Sequence, residues 1–518
     1  MLTARAMRFP LIVTMAVIIA AATLPSTDAH AQFACVGTLG ASDVTCTNTG
    51  ATAVPFLQDQ LGTFNLTTTS SGLTNGITTT SVDGNVTATN SGINADMLDT
   101  SASGLGNATS NNSGIIGTYI STLTGAGNAT STNSGTVLQD ITTSAQDGGN
   151  ALTNNSGSTF AITTSTVPGS ALVSGSATTN NSGTVGGSVT TTADGGGNAT
   201  TNNSGVIGGL LSTQTSNGGS GSGGGNATSI NSGTVDSIAN VTADGGNATV
   251  TNSGNVLFNG CCGPPFGIFN GTALGGDATT INYGNVNGGV FTTTGLGGGD
   301  GNATLINYGT IRGDVLTLAG NTGGTGNATF VNYGTIYTDF LGVGVGAYNG
   351  TVTGYNGGRI FGEVDVANGG GGGTVVFSNA GLIDGTYGLS PTGVALDLTQ
   401  FDPATPTTLN ILPGSRIVGE IILNGDTSDP FAVGTRVNIL SGHDISSVLT
   451  FGGSGCGCTT GGLIDTGAVV NVTGGAPYVI NGNTVAILDP TSFANADRNV
   501  VDVTRTIASL VTSRLTNP

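Results

Sequence analysis

The chain has 518 residues, 92 of them glycine, with no tryptophan, 7% charged residues and a formal charge of −19. It contains no lysine, and no arginine lies between Gln32 and Arg312, so most of its length has nothing to neutralise phosphates; nucleic acid is excluded as a partner and anionic membrane surfaces are poor ones. Glycine-rich chains without a period are disordered, but 37% hydrophobic residues, few charges and a clear repeat place this chain among ordered repeat proteins.

Arg5 and Arg8 precede an apolar run over residues 11–22, then Pro25 and a small-residue site at Ala29-His30-Ala31. This is the layout of a secretory signal peptide over residues 1–31, and cleavage after Ala31 leaves Gln32 first. The apolar run is shorter than the roughly 20 residues a spanning helix needs. Residues 32–64 are read as an N-terminal cap.

From residue 65 to about 385 the chain repeats itself. NATSNNSGII starts at Asn107, NATTNNSGVI at Asn198, NATLINYGTI at Asn302 and NATFVNYGTI at Asn327, and the glycines of fourteen copies run from Gly72 to Gly381 at spacings of 20 to 30 residues. β-Branched residues alternate within each copy, so each unit is strands and turns, and the expected fold is all-β: a right-handed parallel β-helix with a short C-terminal α-helix. Counting by twos gives Ala108, Ser110, Asn112, Gly114 and Ile116, which is read as the interior column. Asn holds its place in thirteen of the fourteen copies, with Ser70 the exception, and predicts an amide ladder between coils about 4.8 Å apart. The following glycine is read as supplying a turn conformation closed to other residues. The Asn-x-Thr triplets look like glycosylation acceptors but arise from the repeat itself, and are read as structural. Nine-residue calcium repeats are absent, and no metal or cofactor is expected.

Within the outward columns Ser113, Ser134, Ser182, Ser204, Ser232 and Ser253 give way to Tyr283, Tyr308 and Tyr333, with Ile281, Ile306 and Val331 beside them. A stripe of stacked tyrosines predicts a binding surface for a glycan or a protein, the ring stacking on the partner. The bland alternative is that the Phe258 to Phe269 loop covers the stripe as structure.

Residues 386–483 are read as further coils or a capping module, and 484–518 as a linker with a helix. Thr491 or Ser492 would cap that helix, and Val500, Val503, Ile507, Leu510 and Val511 would form its apolar face. The coils resemble autotransporter (type V secretion) passenger domains, and residues 488–515, within the tail VAILDPTSFANADRNVVDVTRTIASLVTSRL, resemble the helix that joins such passengers to an outer-membrane β-barrel. The resemblance implies a helix that threads a translocator barrel and a preceding segment that helps nucleate folding. It implies an exported protein at the cell surface or outside the cell, periplasmic if no barrel exists. The amphipathic strands of the barrel do not follow Pro518, so the expectation is a barrel on another chain or a truncated passenger.

Catalytic chemistry is sparse. The mature chain has one histidine, His443 beside Asp444, and two glutamates, Glu363 and Glu420, with no nucleophile motif around them. The chain is therefore read as structural or adhesive and not an enzyme, the runner-up being a β-helical enzyme acting on a polysaccharide. Convergence of carboxylates in one groove would favour that runner-up. Six cysteines in an exported chain favour disulfides, and strand spacing restricts pairing to neighbours: Cys35 with Cys46, Cys261 with Cys262 and Cys456 with Cys458, the latter two strained enough that free thiols are the alternative.

Overall fold

Five-residue segments such as ATSNN and ATFVN place small or apolar side chains at every second position, so one face of each can be buried and the other wetted. In the computed structural model they are strands, Ala108–Asn112 and Ala328–Asn332, each buried at its first, third and fifth residues. The chain is a parallel β-solenoid of about 15 turns with one short C-terminal helix. The structure describes residues 33–52, 55–60, 62–168, 175–216, 224–258, 266–320, 323–338, 341–370, 372–387, 393–425, 434–440, 446–453, 468–488, 504–509 and 512. Two compact units are present: Met1–Gly197 with Gly205–Ile207, and Asn198–Ser204 with Gly208–Pro518.

In the first unit, Ala108–Asn112 lies in parallel register between Val86–Asn90 and Ala129–Asn133. A second wall is built the same way, Ile120–Thr124 pairing with Leu98–Ala102 and Asp140–Gln146. Two-residue strands such as Ile115–Ile116 connect the walls. Ala108, Ser110, Asn112 and Ile116 are all buried, as the alternation predicts.

The amide ladder is present. Asn90 Nδ2 donates to Asn112 Oδ1 at 2.9 Å, and the chain of bonds continues through Asn133 and Asn155 to Asn181 at 2.8 Å each. In the second unit it runs from Asn203 through Asn231, Asn252, Asn282, Asn307, Asn332 and Asn356 to Asn379, again at 2.8 Å. The second amide hydrogen commonly goes to the carbonyl of the glycine two residues on, as from Asn112 to Gly114 at 3.2 Å. A buried amide is thus satisfied by an identical neighbour.

The glycine column has a different cause from the one expected. Gly114 does not have a positive φ. A Cβ built on it falls onto the carbonyl oxygen of Gly92, and the same holds for Gly135 on Gly114 and Gly309 on Gly284. Backbone of successive coils approaches too closely there for any side chain, so the constraint is contact, not torsion.

A hydroxyl chain crosses the interior of the first unit. Ser110 Oγ donates to Thr100 Oγ1 at 2.8 Å, Thr122 bonds Ser110 and Ser131 at 2.6 and 2.7 Å, and the chain continues through Thr143, Thr153 and Thr164 to Thr179 at 2.7 Å per step. In the second unit the Ser110 position still carries hydroxyls at Thr201, Ser229 and Thr280, but Val250, Leu305, Phe330 and Phe377, all fully buried, take it on other coils. Gly354 stands between the two phenylalanines, and a Cβ on it would fall on the Phe377 ring.

The ends differ. Residues 33–64 include a further coil, Val44–Asn48, parallel to Leu66–Ser70, with Ala34–Val36 laid antiparallel over it. At the other end the parallel coils continue through Thr407–Ile411 and Arg436–Leu440 to Val469–Thr473. The antiparallel pair Tyr478–Asn481 and Thr484–Ile487 follows, the latter also antiparallel to Ser447–Gly453. Residues 504–509 are helical, with Ile507 exposed, while Thr491, Ser492, Val500, Val503, Leu510 and Val511 lie outside the described residues. Among the described residues no helix is long and apolar enough to cross a membrane.

Candidate functional site

Each residue after a ladder asparagine is pinned by its own backbone. Tyr283, Tyr308 and Tyr333 donate their N–H to the carbonyls of Asn252, Asn282 and Asn307 on the preceding coil at 2.7, 2.7 and 2.8 Å. Their Cβ atoms are therefore spaced by the coil repeat, and their rings follow. Tyr283 and Tyr308 stack at 4.9 Å with 3° between planes, and Tyr308 and Tyr333 at 5.2 Å with 12°. Tyr355 of the next coil closes the row at 5.5 Å, tilted by 54°. The three expected tyrosines are 55%, 47% and 52% exposed, and Ile281, Ile306 and Val331 beside them are half-buried.

This geometry alters what the stripe can do. Both faces of Tyr308 are occupied by its neighbours, so the row presents ring edges and hydroxyls to solvent, and a sugar ring has no face of Tyr308 to stack on. The expected ring-on-ligand stacking is corrected accordingly. Phe266 and Phe269, at the end of the loop expected to cover the stripe, make their ring contacts with each other and with Phe291 on the second wall, at 6.1 and 3.8 Å. Residues 259–265 lie outside the described residues.

Sequence reasoning missed a second aromatic row. Arg312 sits over the Tyr337 ring at 4.7 Å, Tyr337 stacks on Phe361 at 4.9 Å with 5° between planes, and Tyr387 tilts against both. Its signal was available, since Arg312, Tyr337 and Phe361 recur at the coil spacing in registered strands.

Carboxylates do come together in one place. Asp365 and Asp397 are register partners on adjacent coils, and Glu363 lies two residues before Asp365. Packed surroundings, then the charges of Asp397 and Glu363, push the Asp365 carboxyl up to about 6. Asp365 itself stays exposed, so water screens this interaction. Among the described residues no group of three or more His, Cys, Asp or Glu is arranged to hold a metal ion.

Cys35 and Cys46 face each other across the antiparallel pair and are joined by a disulfide. Cys261, Cys262, Cys456, Cys458 and His443 lie outside the described residues. The triplet asparagines form an outer ladder: Asn107 Oδ1 accepts from Asn128 N at 2.8 Å, and Asn302 Oδ1 accepts from the backbone and side-chain nitrogens of Asn327 at 2.9 and 3.1 Å. Comparison with known families, with curated proteins and with solved structures finds no match for this chain.

Proposed function

We propose that this protein is an exported, passenger-type solenoid displayed at a bacterial cell surface, with a structural or adhesive role. The observation that carries the reading is the coil-to-coil amide ladder: one asparagine position, repeated through each unit, turns the chain into a scaffold whose polar groups serve stacking. Export is supported by the Cys35–Cys46 disulfide, since such bonds persist in oxidising compartments, and by the signal-peptide layout of residues 1–31. An outer-membrane translocator barrel is the proposed partner in display. The tyrosine row offers ring edges and hydroxyls, a surface suited to a protein or glycan surface ligand through hydrogen bonding.

Surface labelling and protease shaving of intact source cells test this, with mass spectrometry of the recovered protein. The expected result is labelled protein beginning at Gln32 with Cys35 and Cys46 joined; unlabelled protein retaining Met1 in the cytosol overturns it. A periplasmic protein sheltered from shaving supports the truncated-passenger alternative instead.

One observation favours a second reading, a β-helical enzyme acting on a polysaccharide: Glu363, Asp365 and Asp397 converge, and packing with the two neighbouring charges holds the Asp365 carboxyl above the usual carboxylate range. Release of reducing ends from a polysaccharide panel, abolished by Asp365→Asn, would establish it.

A further inference from the structure

Five successive coils on the first wall of the first unit carry outward side chains of nearly one kind. Thr45 and Thr47 of Val44–Asn48 are in register with Thr67 and Thr69, these with Thr87 and Thr89, these with Thr109 and Asn111, and these with Thr130 and Thr132. Nine of the ten positions are therefore threonine, in two adjacent columns. None of the five strands contains a charged residue. The array stops at the following coil, where Leu152 and Asn154 take the two positions and Asn154 Oδ1 accepts from Asn180 Nδ2 at 2.8 Å.

Threonine is a strand former on any exposed face, but the second wall of the same unit does not repeat the pattern. The equivalent positions of its first four coils hold Leu57 and Asp59, Thr78 and Thr80, Asp99 and Ser101, and Ser121 and Leu123, with one threonine pair among them. The two sides of the first wall also differ in how their hydroxyls are used. Inward-facing Thr68, Ser110 and Ser131 bond to Thr79, Thr100 and Thr122 at 3.1, 2.8 and 2.7 Å. None of the nine outward hydroxyls bonds to a described residue, so they are left to water.

We propose that this face binds ice. Coils repeat at about 4.8 Å and alternate residues of a strand at about 6.6 Å, distances comparable to the two oxygen repeats on a prism face of hexagonal ice. Threonine is stiff at χ1, so registered hydroxyls and methyl groups keep one attitude from coil to coil. Waters anchored on the hydroxyls and confined between the methyls then sit in positions that a growing crystal can adopt. A charged side chain would hold its own hydration shell against the lattice, and these strands have none. Each contact is weak, but a rigid frame engages many at once, and release requires all of them to break together. This inference goes beyond the surface reading and does not rest on it, since the test uses purified protein and is indifferent to where the cell places it.

The mature protein, beginning at Gln32, is partitioned between liquid and a slowly grown ice hemisphere, and its thermal hysteresis is read by nanolitre osmometry. Enrichment in the ice and measurable hysteresis are expected. Thr109→Tyr, in the middle of the array, should reduce both about tenfold with the melting temperature of the protein unchanged, while Thr142→Tyr, exposed on the second wall, should leave both as they are. Asn111→Thr completes the second column and should raise the hysteresis, a gain that misfolding cannot imitate. Protein left in the liquid like an ordinary solute overturns the proposal. So does ice binding that neither Thr109→Tyr nor Asn111→Thr alters, or binding that Thr142→Tyr abolishes.

Discussion

Ser70 is the break in the inner ladder, and it leaves a measurable defect. Asn48 Nδ2 reaches Ser70 Oγ at 3.3 Å, but Asn90 Oδ1, fully buried on the following coil, receives no hydrogen bond. Asn48 and Asn90 occupy the same register position on either side, so an amide at residue 70 meets the surroundings that every other rung already accommodates. Ser70→Asn should supply the missing donor to Asn90 and a better acceptor to Asn48. An unsatisfied buried acceptor costs about 1–3 kcal/mol, and ordering the longer side chain takes back up to ~1 kcal/mol, so the expected net gain is about 1 kcal/mol. Repeat proteins open locally, and native-state hydrogen exchange at the amides of Ser91–Asn112 is the appropriate assay; their exchange should slow about fivefold. Asn112→Ser is the mirror experiment, recreating the defect at Asn133 and accelerating exchange nearby. Unchanged or faster exchange in Ser70→Asn, alongside the expected loss in Asn112→Ser, would refute the view that Asn90 is short of a donor.

Gly114→Ala should destabilise the first unit by about 3 kcal/mol by forcing two coils apart, whereas Gly186→Ala, whose added Cβ meets nothing nearer than 3.7 Å, should stay within about 0.5 kcal/mol; urea melts of both decide. Tyr308→Ser removes two ring pairs at about 0.5–1.5 kcal/mol each, so melting should fall by the equivalent of about 1–3 kcal/mol, and an unchanged melting temperature would contradict a structural role for the row. Asp365 has a raised folded-state pKa, so its effect on stability is most favourable below the ordinary 3.8 and is lost as pH rises to about 6. Asp365→Asn should accordingly raise the melting temperature at pH 7 and not at pH 4, and an equal shift at both would show that ionisation is not the cause.

The asparagine ladder was legible because a single residue type recurs in phase with the coil, and stacking identical amides is the only way a buried one is satisfied at every rung. The hydroxyl chain was not, since its members alternate between two walls and the step from the second wall to the next coil varies, from 9 residues between Thr122 and Ser131 to 15 between Thr164 and Thr179. Gly114 was recognised as obligatory but for the wrong reason: a sequence shows that a side chain is forbidden, and only the neighbouring coil shows what forbids it. The tyrosines were placed on the outside correctly, with Tyr283, Tyr308 and Tyr333 about half exposed. Their ring orientation was beyond reach, because it depends on the 4.9 and 5.2 Å between successive rings.

The inner ladder also has a direction. Every Nδ2 donates toward the C-terminus, while the outer ladder donates backward, as from Asn128 N to Asn107 Oδ1. A rung in the middle of a unit meets the same chemistry above and below, so gaining or losing one whole coil leaves no donor or acceptor stranded. Only the ends are particular: Ser70 precedes the first unbroken run, and Ser415 Oγ receives the last amide, from Asn379 at 2.6 Å. Coil number is then a quantity that duplication and deletion can change in a single step without redesigning a core.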